Sequence, residues 1–190
     1  MLFGDVRISL EELAKRLCQE IREKVNAFGP RPRNQNWTEC VMKVLHRHGN
    51  ALKYEVLCQH IEGCHEWLLD LIWWKNEPEI GIALAVECEW GGTRDIIDDF
   101  QKLLCTKAPL KVLIYDGGNI PKHGDDVQAA IKNEMKIYHH HVAGETYLFL
   151  AFGDRQQYCH RFVVPRDGVL EEINFELLID APAASMAAPA

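Results

Sequence analysis

The chain has 190 residues, 47% hydrophobic and 26% charged, which is the composition of one globular domain large enough to bury a core. Its formal net charge of −7 excludes a protein that coats nucleic acid through bulk positive charge, but not a metal-dependent nuclease, whose site must itself be acidic. No apolar run reaches the ~18 residues needed to span a bilayer. The opening MLFGDVRISL carries Asp5 and Arg7 and no apolar signal core, so the expected location is the cytoplasm, with no membrane partner.

Ser9-Leu10-Glu11-Glu12 is a capping box ahead of an amphipathic run, predicting a first helix over Leu10 to Asn26. The basic, Pro-broken stretch from Gly29 to Asn36 reads as a linker. A second helix is expected from Trp37-Thr38 through ECVMKVLHRH, closed by Gly49, with positive charge in its last turn. Strand patterns follow: Lys53 to Ile61, the strongly apolar EWLLDLIWW (Glu66 to Trp74), a turn at Lys75 to Glu79 and then GIALAVECEW. Thr93 opens an amphipathic helix, TRDIIDDFQKLLCTKA, stopped by Pro109. LKVLIYDGG reads as a buried strand and a helix is expected near Asp125 to His139. ETYLFLAFG and HRFVVP follow as strands, and EEINFELLI as a last strand or helix. Residues 1–180 form one domain on this reading, and 181–190 a disordered tail. The alternation predicts an α/β fold: a mixed central β-sheet flanked by helices on both faces.

Seven scattered cysteines read as reduced thiols, so neither a disulfide nor a structural zinc is expected. Cys58, His60, Cys64 and His65 are zinc-type ligands at a spacing that fits no familiar zinc pattern. The carboxylates are more informative. Asp70 interrupts an apolar strand, and an unpaired charge there costs several kcal/mol. Glu87 and Glu89 lie two apart on the next strand and share one side of it. A hairpin would gather all three, and carboxylates at that density are stable mainly around a hard divalent cation, Mg²⁺ or Mn²⁺. Replacing Asp70 by Asn is then expected to relieve repulsion. Arg31, Arg33 and Lys75, with tryptophans beside them, could grip a nucleic-acid strand.

The order of a helix with Glu39, a strand with Asp70, a strand with Glu87-Cys88-Glu89, then helix, strand and helix resembles the PD-(D/E)XK nuclease superfamily, the restriction-endonuclease-like α/β sandwich. The likeness covers about Trp37 to Phe162. It implies Asp70, Glu87 and the backbone carbonyl of Cys88 as metal ligands, with Glu39 assisting. The chain departs from the family where a lysine is usual: Glu89 stands there. Lys102 on the following helix is the candidate substitute, and its i,i+4 spacing from Asp98 equally accounts for it as an ordinary surface ion pair. The implied chemistry is phosphodiester hydrolysis, DNA ahead of RNA, with Glu89 or Lys102 orienting or deprotonating a water. The rival reading is a non-catalytic interaction or dimerisation module on the same fold, with a homodimer as its partner state.

Overall fold

The computed structural model describes residues 9–27, 36–65, 67–76, 80–118, 122–153, 156–168, 170 and 172–182. Within them the order is α1 (Leu10–Ala27), α2 (Asn36–Ala51), β1 (Glu55–Cys58), β2 (Leu71–Lys75), β3 (Gly81–Glu89), α3 (Thr93–Cys105), β4 (Leu110–Gly118), α4 (Lys122–Ile137), β5 (Thr146–Gly153), β6 (Gln156–Val163) and β7 (Glu176–Pro182). The class is α/β, as expected, and the seven strands form one mixed sheet in chain order.

β1, β2 and β3 pair antiparallel. β3, β4 and β5 pair parallel, joined by the crossover helices α3 and α4. β5, β6 and β7 return to antiparallel pairing. Alternating strand positions feed two cores. Leu84, Val86 and Cys88 of β3 join Val112 and Ile114 of β4 and the apolar faces of α1 and α2. Ala85 of β3 and Leu113 and Tyr115 of β4 join Ile96, Phe100, Leu103 and Leu104 of α3 and Val127, Ile131 and Met135 of α4. The second core also encloses a charge: Lys111, 1% exposed, donates to Glu145 at 3.0 Å and to Tyr147 Oη at 3.1 Å. Paired in this way, the ammonium survives burial.

Four expectations need correction. Gly49 does not close α2, which continues to Ala51. Gly49 is there because a Cβ would stand 2.5 Å from Val56 Cγ2 and 2.6 Å from Trp73 Nε1, so only glycine lets α2 lie this close to β1 and β2. Second, the run before Leu71 is not strand. Trp67 is 40% exposed and Leu68 85% exposed, and Asp70 sits in a bend just ahead of β2. Third, Cys18 and Cys159 form a disulfide 141 residues apart in sequence. α1 packs on β5 and β7, which carries Cys18 into the same core as Cys159 of β6. Fourth, the last element is a strand, and it runs two residues into the stretch read as tail. Residues 183–190 lie outside the described residues, as do 28–35 of the linker and 77–79 of the β2–β3 turn. Among the described residues no helix is long and apolar enough to cross a membrane.

Candidate metal centre

The last rung between β2 and β3 pairs Leu71 with Val86. One step beyond it the register brings Asp70 beside Glu87. Both polar groups then complete the hairpin where its ladder ends. The Asp70 amide donates to Glu87 Oε2 at 3.4 Å. The Cys88 amide donates to Asp70 Oδ2 at 2.8 Å. In an extended strand a residue's N–H and C=O face the same edge. The Cys88 carbonyl is therefore also turned toward Asp70 rather than toward β4. The Cys88 thiol faces the opposite core, where burial holds its pKa well above the usual thiol value.

Glu87 is 2% exposed. The cation facing it comes from α3: Lys102 Nζ lies 3.3 Å from Glu87 Oε1 and 2.6 Å from Asp99 Oδ1. The approach to Glu87 is a close charge contact without hydrogen-bond alignment, and among the described residues Glu87 Oε1 has no aligned hydrogen-bond donor. Burial, then the charges of Asp70 and Asp99, push the Glu87 carboxyl up to about 8 against the opposing pull of Lys102. Lys102 moves the other way from what burial alone would give. Its hydrogen bond to Asp99 and the charges of Glu87 and Asp99 outweigh desolvation and raise its pKa above the usual lysine value.

On its other side Asp70 is held by the segment after β1. Gln59 Nε2 donates to Asp70 Oδ1 at 2.8 Å, and His60 Nε2 lies 3.1 Å from the same oxygen. Register explains this placement: Cys58 pairs with Leu71, so the next residues meet Asp70. Among the zinc-type ligands, Cys58 is buried in the α1–α2 core, and burial pushes its thiol up to about 11.

Asp70, Glu87 and Lys102 come together, with the Cys88 backbone at the same point. Lys102 is bonded to Asp99, three residues back, while Asp98 pairs with Arg94 at 4.0 Å. Glu89 shares a strand side with Glu87, but its carboxylate accepts from the Gly91 amide in the turn into α3. Glu39 is not brought to the pair. It sits on α2, which belongs to the other core, and its carboxylate pairs with Lys43 in the next turn. Lys75 closes the far end of β2, roughly 16 Å from Asp70 at ~3.3 Å per strand residue. Arg31 and Arg33 lie outside the described residues. Gln59, His60 and Asp99 were missed as site residues. The first two depend on the loop after β1 folding back toward Asp70, and Asp99 on how α3 is rotated against β3.

The donor set available to a metal is hard oxygen: two carboxylates and a backbone carbonyl. The observation that fits a cation there is the buried Glu87 carboxylate, whose Oε1 faces the Lys102 ammonium without an aligned hydrogen bond among the described residues. Among the described residues no three His, Cys, Asp or Glu side chains converge as a ligand set, so the main chain would have to supply the third oxygen. Compared with protein-family models, curated proteins and solved structures, the chain has no significant match.

Proposed function

We propose that this domain is a Mg²⁺- or Mn²⁺-dependent nuclease of the restriction-endonuclease-like type, hydrolysing phosphodiester bonds in DNA ahead of RNA. The observation that carries the reading is the meeting of Asp70, Glu87 and Lys102 from three separate elements. The chain lacks the family's lysine on β3, and an ammonium from α3 stands 3.3 Å from the second acid instead. The order α2-β1-β2-β3-α3-β4-α4 supports it, and so do the two cores, which put helices on both sides of the sheet in the manner of the proposed sandwich.

Asp70, Glu87 and the Cys88 carbonyl would hold the cation. When bound, it supplies Lewis-acid stabilisation of charge developing at phosphorus and lowers the pKa of a water. The chain's own groups do the rest. Lys102, half exposed and fully charged at neutral pH, faces both the buried acid and solvent, so it is placed to orient the water and to counter charge on the phosphoryl oxygens. Glu87 must lose its proton before it can bind a cation, so binding strengthens as pH rises toward about 8.

The same contacts give the non-catalytic reading its one specific support. Lys102 faces Glu87, and Gln59 and His60 hold Asp70, without any metal. Thermal melting with and without Mg²⁺ or Mn²⁺ separates the two. The nuclease reading expects a metal-dependent rise for the wild type, absent in Asp70→Asn and Glu87→Gln. No rise in the wild type leaves the interaction module standing.

A further inference from the structure

Asp70 is held more completely than a metal ligand needs to be if it were only a charge. A carboxylate offers about four lone-pair positions. Gln59 and His60 take the two on Oδ1, and the Cys88 amide takes one on Oδ2. Among the described residues one position on Oδ2 is left, on the oxygen that the β3 backbone already holds.

From this we infer that Gln59 and His60 are positioning residues for Asp70: they clamp Oδ1, fix the carboxylate's rotation and present Oδ2 alone to the cation. The inference rests on the proposed metal site and adds to it a pair of residues that no acid–lysine motif contains. The clamp is a built feature of the hairpin. Gln59 and His60 follow β1 directly, and the Cys58 amide donates to His65 O at 3.1 Å. A second turn bond runs from the Cys64 amide to Ile61 O at 3.1 Å. The loop is therefore folded back on itself, with its first two side chains directed at Asp70. His60 Nε2 stands 3.1 Å from Oδ1 and 3.2 Å from Gln59 Nε2, and it is the Nε2–H tautomer that donates to Oδ1. Its side chain is 31% exposed, so removing it leaves no cavity in either core. Groups that hold a metal ligand's second oxygen or ring nitrogen set its orientation, and their loss typically costs about 10–100-fold in metal affinity.

The test is calorimetric titration with Mn²⁺ alone, at pH 8, on the full chain, with melting in chelator as the check on folding. His60→Ala should melt normally without metal and bind Mn²⁺ about 10–100-fold more weakly. His60→Gln, whose amide can donate to Oδ1, should recover most of that loss. Gln59→Ala should weaken binding as well, and the double alanine variant more than either single one. His46→Ala, a histidine on α2 that bonds Asn50, should bind as the wild type does. Wild-type binding with His60→Ala and Gln59→Ala both within twofold of it would overturn the clamp and leave the metal site intact. So would His60→Gln binding as poorly as His60→Ala, since the donor would then not be what matters. A wild type that takes up no Mn²⁺ would overturn the metal site, and the clamp with it.

Discussion

Lys102 on α3 and Glu87 on β3 face each other at 3.3 Å, the lysine half exposed and the glutamate 2% exposed. They come from different elements and lie on different sides of a turn. Their meeting depends on α3 crossing back over β3 toward β4, which also buries Ile96, Phe100, Leu103 and Leu104. The apolar stripe of the helix thus sets the rotation that brings Lys102 to the acid.

Glu87 makes stability depend on pH. Its carboxyl sits at about 8 in the folded state against an ordinary value of 4.5. Between those values the folded state keeps a proton that the unfolded chain has released, so stability falls as pH rises through the interval and levels off above it. Lys102, raised above 10.5, does not titrate there. Urea midpoints measured in chelator from pH 5 to 9 should decline for the wild type and show a shallower decline for Glu87→Gln. Identical slopes would mean that Glu87 is ionised at neutral pH.

Asp70→Asn should lose metal-free stability. Like-charge repulsion alone predicts a gain, which is the expectation from sequence. The structure reverses the sign. Asp70 accepts from Gln59, His60 and the Cys88 amide, and an asparagine would turn an NH₂ group toward at least one of those donors. The cost is about 1–3 kcal/mol for the unsatisfied polar groups. Chemical denaturation in chelator measures it; a more stable variant would show that repulsion from Glu87 dominates.

Gly49→Ala tests the close approach of α2 to the sheet. Alanine favours a helix interior by roughly 1 kcal/mol. Its Cβ would meet Val56 and the indole of Trp73 at 2.5–2.6 Å, where the indole is already committed to Leu45 O. Overpacking of a core costs about 1–3 kcal/mol, or more where the neighbour is rigid. The net expectation is destabilisation of up to about 2 kcal/mol by urea melting. A variant as stable as the wild type would mean that α2 can shift outward at little cost.

The fold class and the run of elements were legible, because each long element carries its own period: β4 and β5 as continuous apolar runs, α3 as a stripe. Asp70 and Glu87 were also legible, as charges in apolar surroundings. Their partners were not. Lys102 has acids both three and four residues back, and nothing in the spacing says that it also reaches across to β3. His60 was noted only as one of four zinc-type residues at an unfamiliar spacing, because the sequence does not reveal that the loop folds back to Asp70. Cys18 and Cys159 could not be paired across 141 residues without the packing of α1.

That disulfide gives a further prediction. Closing a loop of this length stabilises a domain by up to about 3–5 kcal/mol in the chain-entropy account. Cys18→Ala and Cys159→Ala should each lower the urea midpoint, and the double variant should fall no further. A reductant should lower the wild type and leave all three variants unchanged. Additive single variants would show that the thiols are not joined in solution.

Asp70, Glu87 and Lys102 are proposed to act together on a phosphodiester. The most direct measurement is cleavage of supercoiled plasmid and of single-stranded DNA in Mg²⁺ or Mn²⁺ by the wild type, Asp70→Asn and Lys102→Ala. The account predicts cutting by the wild type that chelator abolishes and none by Asp70→Asn. It predicts a loss of about 10²–10³ in rate for Lys102→Ala, the range for removing a donor that counters charge developing in the transition state. A wild type that cuts neither substrate, or an Asp70→Asn variant that cuts as fast as the wild type, would contradict it.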